Sequence, residues 1–574
     1  MKQLSGLDAS FLYMETPNTY GHVNGLSIYE RPSDDFEPFE HVYERFGVMV
    51  GNLEPLRRRL VDVPFGLDHP YWIDDPDFDL DYHVRHIGLA PPGADDQLGE
   101  QVARIVGRHM DRRRPLWEVY VIEGLADGRW AMLSKTHHAT IDGASGVIML
   151  KMMTDPAPDS EWVLKPVEWT GEAIPKDSEL LKQTVRHLAT NPVKAARLQL
   201  RVVRQLAEAA GIDSVGSAAS QARDAIKSLV TTSSGSNAND NESSVSIPLS
   251  PAPKTPWNAS VTPNRRFAMR SVSLANVKAL KDATGGTIND VVMAMCSGAL
   301  REYLIRHDML TDEPLRAMVP VSIRTGDEED VWTNRVTAIV CELPTNCADP
   351  VERVALCRDA MKQAKRQLDL LPADTMMQAT QMTSPVIAAS AIRLVGRLKL
   401  ADRMNSPINV VISNVPGPRE PLYFAGAKLD AYIPVSTISD GVGLNITVHS
   451  YEDRLDIGLI SDRELVPDLW DLVDLHVDEI ARLFEATGAE WAEPPMPPPM
   501  RRGGLGIEAV PPSSPEVAAR VADERAVTGA PSIPAGTKRA ASKRAASKRA
   551  ASKKAASKKA ASKKTATKKT ASRK

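Results

Sequence analysis

The apolar positions of this chain follow two periods that alternate along the sequence. A period of two is typical of half-buried strands, and spacings of three and four are typical of amphipathic helices. In the first part of the chain they predict strands at 22–29, 117–123 and 130–136, and helices at 37–50, 96–109 and 146–153. Because strands and helices interleave, we expect an α/β fold.

A second region of the same kind begins near residue 264. Its pattern predicts strands at 266–273, 315–323, 336–343, 408–414, 427–434, 443–451 and 455–461, and helices at 274–284, 288–306, 350–370 and 466–486. Between the two regions, residues 178–211 have a basic, amphipathic helical pattern. Residues 214–260 are rich in Ser, Asn, Ala and Pro and predict a flexible linker.

These patterns divide the chain into four segments. Residues 1–175 form an N-terminal half, 176–263 a helical segment and linker, 264–490 a C-terminal half, and 491–574 a Pro-rich and then basic tail. The tail repeats the pentad Lys-Arg-Ala-Ala-Ser, with Lys in place of Arg in later repeats. A period of five residues spreads the charge over every face of a helix. We therefore expect the tail to be disordered on its own.

The formal net charge of −3 conceals a strong asymmetry. Residues 538–574 contain 16 Lys or Arg and no acid, so the remainder has 54 basic against 73 acidic residues, a net charge of −19. Such a tail can bind nucleic acid without sequence specificity, or an anionic lipid surface.

The cysteines and the apolar runs exclude several classes of protein. The four cysteines have no zinc-binding spacing, which favours reduced thiols in a cytoplasmic protein. The first residues carry no secretory signal, and no apolar run approaches the roughly 20 residues of a spanning helix. We expect no metal site.

The strongest candidate for chemistry is the stretch His137-His138-Ala139-Thr140-Ile141-Asp142-Gly143, at the predicted end of the 130–136 strand. A histidine there, with no serine elbow or catalytic cysteine beside it, suits a general base acting directly on a substrate. The alternative is that two histidines merely end a strand. Zinc is disfavoured because neighbouring strand residues point to opposite faces.

Four further motifs accompany this stretch. They are Leu4-Ser5-Gly6-Leu7-Asp8-Ala9-Ser10-Phe11, Pro115-Leu116-Trp117, Asn289-Asp290-Val291-Val292 and Ser413-Asn414-Val415-Pro416-Gly417-Pro418. In kind, order and spacing, all five resemble the bacterial wax ester synthase/diacylglycerol acyltransferases of the CoA-dependent acyltransferase superfamily. The resemblance covers residues 1 to about 490 and leaves out the linker and the tail.

The resemblance implies two chloramphenicol-acetyltransferase-like halves that share a central tunnel, with His138 near its middle. It also implies that His138 is the base, that attack is direct without an acyl-enzyme, and that acyl-CoA is a co-substrate with no further cofactor. His137 is then a structural neighbour.

The resemblance also suggests roles for the remaining motif residues. Asp142 gives structural support beside the turn-forming Gly143, paired with Arg324, Arg57 or Arg59, or it contacts His138 directly. Asn289 and Asp290 cap a helix or reach the active site. Trp117 belongs to the core or shapes an acyl channel, and Pro115 is a supporting residue of the same motif.

For the acceptor, the resemblance implies diacylglycerol, giving triacylglycerol, and long-chain alcohols, giving wax esters. We expect peripheral association with the inner membrane or lipid droplets through basic amphipathic stretches at 180–206 and 385–400, unless these are ordinary surface helices. Two alternatives remain: the same chemistry on a polyketide diol, an amino group or a small alcohol, and a non-catalytic lipid- or nucleic-acid-binding protein.

Overall fold

The computed structural model describes residues 1–141, 143–190, 251–322, 336–369 and 406–501. The strands, in chain order, are β1 (Lys2–Gln3), β2 (His22–Tyr29), β3 (Arg58–Val61), β4 (Tyr71–Asp74), β5 (Val84–Gly88), β6 (Trp117–Glu123), β7 (Trp130–His137), β8 (Arg265–Ser273), β9 (Leu315–Ser322), β10 (Val336–Leu343), β11 (Val410–Pro416), β12 (Tyr423–Phe424), β13 (Ala427–Val435), β14 (Leu444–Tyr451) and β15 (Arg454–Asp462). The helices are α1 (Gly6–Tyr13), α2 (Pro38–Asn52), α3 (Glu54–Arg57), α4 (Leu80–His83), α5 (Asp95–Val106), α6 (Gly143–Met153), α7 (Asp177–Thr190), α8 (Leu274–Thr284), α9 (Ile288–Arg306), α10 (Pro350–Asp369) and α11 (Leu469–Thr487).

The N-terminal half is built on a six-stranded sheet with the order β12-β13-β2-β7-β6-β5. Its neighbours are antiparallel except β5 and β6, which are parallel. Helix α2 covers one face, where Phe46 and Met49 pack in a cluster with Trp117 and Trp130. This face is apolar because strand side chains alternate between the two sides of a sheet.

The C-terminal half has its own six-stranded sheet, in the order β10-β9-β11-β14-β15-β8. Strand β11 runs parallel to both of its neighbours, and the other pairs are antiparallel. Helices α9 and α11 pack together against this sheet, and α9 is buried along most of its length. A helix apolar on all sides belongs in a core rather than on a surface. The predicted α/β class with two sheet-containing halves is confirmed.

The two halves share a core, and two strands from the C-terminal range of sequence join the N-terminal sheet. Strands β12 and β13 come from the predicted C-terminal half but extend the N-terminal sheet, with β13 antiparallel to β2. A single apolar cluster joins residues of both halves, including Leu98 and Val102 of α5, Phe267 of β8 and Ile433 of β13. Residues 264–490 are therefore a continuous range of sequence but not a separate sheet.

The predicted flexible linker at 214–260 is wrong for its last ten residues, and the rest of it lies outside the described residues. Trp257 is fully buried and donates its indole N–H to the Asn409 carbonyl. Asn258 donates to the Gly441 carbonyl and accepts from the Asn409 amide. The Ser- and Pro-rich composition predicts a linker, but the side chains of Trp257 and Asn258 form hydrogen bonds with the C-terminal half.

Helix α7 contains the start of the basic stretch predicted at 180–206. Its Leu180 is buried in a small cluster with Val63 and Tyr71, so this part of the stretch packs on the fold. The remainder of that stretch, the stretch at 385–400 and the tail from 502 onwards lie outside the described residues.

Candidate active site

His138 follows the last residue of β7, where the chain turns towards α6. Its backbone N–H donates to the Gly21 carbonyl at 2.7 Å. The imidazole ring is partly buried and stacks on the Phe11 ring, with centroids 4.1 Å apart and planes 6° from parallel. Phe11 therefore covers one face of the ring.

Helix α1 is what brings Phe11 to His138. Its N-cap Ser5 accepts the Asp8 N–H, a common way to begin a helix. Its Ala9 and Leu12 pack in one cluster with Leu116 and Ala139. Three of the sequence motifs therefore meet around the turn that carries His138, although more than 100 residues separate the first from the second.

His137 points away from this position, into the protein. Its side chain is buried, and its Nδ1 accepts the N–H of Ala139 at 3.0 Å. Its Nε2 lies 3.3 Å from Oε1 of Glu15. Adjacent residues at a strand end thus divide into one buried and one partly exposed histidine.

Glu15 was not predicted from the sequence. Its side chain is only 8% exposed, and Arg112 donates to Oε2 at 2.6 Å. Burial by itself raises the pKa of the Glu15 carboxyl, but the adjacent His137 ring, the hydrogen bond from the Gly21 N–H and the charge of Arg112 outweigh it. The pKa therefore lies well below its ordinary value, and Glu15 is ionised beside His137.

The Pro-Leu-Trp motif lies in the core of the N-terminal half. Pro115 is buried, and its carbonyl accepts the Trp117 N–H at 2.9 Å. The Trp117 indole is 1% exposed, donates to the Leu56 carbonyl and stacks on His83 with centroids 4.4 Å apart. Trp117 is thus a packing residue in this structure, the first of its two predicted roles.

Asn289 and Asp290 differ from one another in their contacts. Asp290 forms a reciprocal capping box with Thr287, so it satisfies the first turn of α9. Asn289 accepts a hydrogen bond from the Asn414 side-chain amide at 3.3 Å. The Asn-Asp motif and the Ser-Asn-Val-Pro-Gly motif are therefore in contact, which their separation in sequence did not reveal.

Several predicted residues lie outside the described residues or next to where these end. Asp142 and Arg324 are outside the described residues, so the pairing of Asp142 stays a prediction. Gly143 begins α6. Arg57 and Arg59, the other candidate partners, form ion pairs with Asp74 and Asp75 at 3.0 and 3.5 Å.

Across the described ranges, no group of three or more His, Cys, Asp or Glu is arranged to hold a metal ion. Among the helices of those same ranges, none is long and apolar enough to cross a bilayer.

The chain matches two models of one family. The wax ester synthase/diacylglycerol acyltransferase catalytic domain matches residues 4–292, and the C-terminal domain of the same family matches residues 332–483. Together these matches span most of the chain and include all the described motifs around His138.

Individual relatives agree with these models. A Mycobacterium tuberculosis protein named as a diacylglycerol O-acyltransferase is 37% identical over 488 residues, covering 84% of this chain and 100% of its own. The O-acyltransferase WSD of Acinetobacter baylyi is 33% identical over 492 residues, covering 85% and 98%. The solved structure of a wax ester synthase/diacylglycerol acyltransferase from Marinobacter aquaeolei VT8 is 28% identical, with a TM-score of 0.59, and covers 85% of this chain and 100% of its own. This chain therefore belongs to the wax ester synthase/diacylglycerol acyltransferase family of acyl-CoA-dependent O-acyltransferases.

Proposed function

We propose that this chain transfers a long-chain fatty acyl group from acyl-CoA to the hydroxyl group of diacylglycerol, forming triacylglycerol, and also to long-chain alcohols, forming wax esters. The observation that carries the proposal is the placement of His138 within this family's fold. Its ring lies at a strand end, stacked on Phe11, with its backbone fixed by Gly21.

The reaction follows from the chemistry of imidazole. A neutral His138 takes the proton of the acceptor hydroxyl while the oxygen attacks the thioester carbonyl. When the tetrahedral intermediate collapses, the C–S bond breaks and His138 returns the proton to the CoA sulfur. Such general-base assistance accelerates a reaction by about 100- to 10,000-fold. The products are an ester and free CoA, and no acyl-enzyme is needed.

The other motif residues have supporting roles in this proposal. Asp142 and Gly143 shape the turn after His138, with Arg324 as partner of Asp142. Asp290 holds the start of α9, and Asn289 links it to β11 through Asn414. Pro115 and Trp117 fix β6 beside β7. The two substrates approach His138 from opposite mouths of a shared tunnel.

Two other functions are distinguished by one assay. The same chemistry on a polyketide diol, an amino group or a small alcohol would give transfer to those acceptors but not to diolein. A non-catalytic lipid- or nucleic-acid-binding protein would give no transfer at all. Incubating purified protein with labelled palmitoyl-CoA and diolein, hexadecanol or a short-chain alcohol separates the three.

The role of His138 has a direct test in a pair of variants. His138→Ala should lose nearly all transfer, at least about 100-fold, because the general base is gone. His137→Ala should keep measurable transfer, since that ring faces away from the substrate position. Thermal unfolding of both variants serves as the control for folding. Equal loss of transfer in the two folded variants would contradict His138 as the sole base.

We also propose that the protein docks on anionic membrane or lipid-droplet surfaces. The turn Pro64–Gly66 presents Phe65, which is 76% exposed and has a left-handed φ of 60°. An L-residue pays roughly 1 to 2 kcal/mol for this conformation. The turn follows Val63, which packs on Leu180 of α7, and α7 exposes Val185 and Lys182. Apolar tips beside basic residues suit insertion at the lipid headgroup level.

The docking proposal predicts a specific effect of Phe65→Ser. The variant should sediment several-fold less with phosphatidylglycerol vesicles, because it loses apolar area that enters the interface. Its transfer to a soluble short-chain alcohol should stay within about twofold of wild type. Val163→Ser, which alters another highly exposed apolar residue, is the matched control and should sediment normally. Equal sedimentation of all three proteins would contradict the docking role of Phe65.

We propose the basic tail as a second, purely electrostatic anchor for polyanions.

A further inference from the structure

Glu15 is connected to the turn of His138 through the backbone of Gly21. Its Oε1 accepts the Gly21 N–H at 2.9 Å, and the Gly21 carbonyl accepts the His138 N–H at 2.7 Å. Only glycine fits at position 21, because a Cβ there would lie 2.7 Å from Nε2 of His137. A single residue, Gly21, therefore connects the Glu15 carboxylate to the backbone of His138.

A second path runs through the side chain of His137. Nδ1 of His137 accepts the N–H of Ala139 and so carries no proton in this arrangement. In a neutral ring the proton is then on Nε2, which lies 3.3 Å from Oε1 of Glu15 in a close polar contact outside hydrogen-bond geometry. Because Ala139 directly follows His138, this path fixes the other side of the same turn.

The surroundings of Glu15 explain why an acid is required there. Arg112 donates to Oε2 and also to the Leu12 carbonyl at the end of α1. Nε2 of His22 and Nδ1 of His109 lie 3.8 and 3.9 Å from Oε1. A carboxylate has lone pairs for several donors at once, whereas an amide has one acceptor oxygen.

We propose that Glu15 is a positioning residue for acyl transfer, which holds the turn of His138 from both sides through Gly21 and His137. This inference rests on the proposed role of His138 as the base. Glu15 touches neither substrate in the proposal, so it acts on the rate of the chemical step. A misplacement of about 1 Å in a catalytic group can cost about 100-fold in rate.

Asp155 provides a matched control for simple loss of a buried charge. It is 2% exposed, pairs with Arg45 at 2.5 Å and accepts the Ala425 N–H at 3.3 Å. Like Glu15, it joins an arginine to a backbone amide. Unlike Glu15, it bonds to the loop before β13 and not to the turn of His138.

The experiment measures kcat, the KM for palmitoyl-CoA and the melting temperature of the full-length chain with diolein as acceptor. Glu15→Ala should lower kcat by about 10- to 100-fold, while the KM for palmitoyl-CoA changes less than about threefold. Glu15→Gln should lose less, because its amide oxygen still accepts the Gly21 N–H. Asp155→Asn should lower the melting temperature and leave kcat within about twofold.

A second set of variants keeps the test decisive if Glu15→Ala fails to fold. His137→Asn retains an acceptor for the Ala139 N–H and should keep more kcat than His137→Ala. If Glu15 and His137 act along one path, the double variant Glu15→Gln/His137→Asn should show a smaller fold-loss of kcat than the product of the two single-variant losses. Unchanged kcat in folded Glu15→Gln, or an equal kcat loss in Asp155→Asn, would overturn the inference. Full activity of His138→Ala, measured in parallel, would instead overturn the proposed function.

Discussion

At the scale of single residues, burial determines the charge state of several histidines. His449 of β14 is 1% exposed, packs against Tyr432 with ring centroids 4.7 Å apart, and lies against Gly417. Within the described residues neither of its ring nitrogens has a hydrogen-bond partner. Burial lowers the pKa of His449 to about 4, so the ring is neutral in the folded protein at pH 7.

This histidine should make the fold sensitive to acid. As pH falls below the ordinary histidine pKa of about 6.5, the unfolded chain binds a proton that the folded chain refuses, so stability falls. The loss from His449 should reach about 3 kcal/mol at pH 4. Urea unfolding of His449→Leu should therefore depend less on pH between 7 and 4 than that of wild type.

The control for this measurement is Tyr432→Phe. It changes the same packed pair but removes no group that titrates between pH 4 and 7, since burial raises the pKa of Tyr432 to about 12. Its stability should fall in parallel with wild type as the solution is acidified. If the stability of His449→Leu also falls with pH as steeply as that of wild type, His449 does not contribute to the acid sensitivity.

The residues of the site differ in whether a local sequence pattern could predict them. His138 could be predicted because its motif is contiguous and lies at a recognisable strand end. The contacts of Phe11 and Glu15 could not, because they depend on how α1 and its following loop pack on β7. Asp290 could be predicted as a capping residue because Thr287 lies three residues before it. The structure shows the capping box that these two residues form.

At the scale of elements, β13 packs against β15 of the C-terminal sheet, and the backbones of these two strands come very close to each other. Asp456 of β15 accepts the Tyr432 N–H of β13 at 3.1 Å. Two residues along, Gly458 lies so close that a Cβ there would be 1.9 Å from the Pro434 carbonyl oxygen. A glycine in a strand interior often marks such an approach.

Gly458→Ala should therefore destabilise the protein severely. A backbone carbonyl cannot move aside as a flexible side chain can, and overpacking of this kind costs about 1 to 3 kcal/mol or more. Urea unfolding should show the loss. Gly88→Ala in β5 is the matched control, because a Cβ at Gly88 has no atom within 4 Å. A loss no larger than that of Gly88→Ala would show that β13 and β15 separate at little cost.

Most of these elements could be predicted, because strand and helix periods are local properties of sequence. The predicted strands at 22–29, 117–123 and 336–343, and the helices at 274–284 and 288–306, agree with the structure residue for residue. The short strands β1, β3 and β4 gave no such signal. The pairing of β13 with β2 is a contact over some 400 residues, which no local period encodes.

At the scale of the whole molecule, the charge of the chain is divided between an acidic body and a basic tail. The body carries −19 and the 37 residues from Lys538 to Lys574 carry +16. The two family matches end at residue 483, so the tail has no part in them. Transfer and polyanion binding should therefore be separable along the chain.

Truncation after Pro534 should leave transfer to a soluble acceptor unchanged and abolish binding to duplex DNA and to anionic vesicles. Each phosphate that the tail neutralises releases a counterion, so the binding constant of the full-length protein should fall steeply with salt, by about 0.9 in log–log slope per DNA phosphate. The tail has no aromatic residue to stack on bases, so DNA sequence should not matter. A tail of the same length with every Lys and Arg replaced by Gln separates charge from length and should bind neither. Equal, salt-dependent binding by the truncated protein would place the polyanion site in the body, against the sign of its net charge.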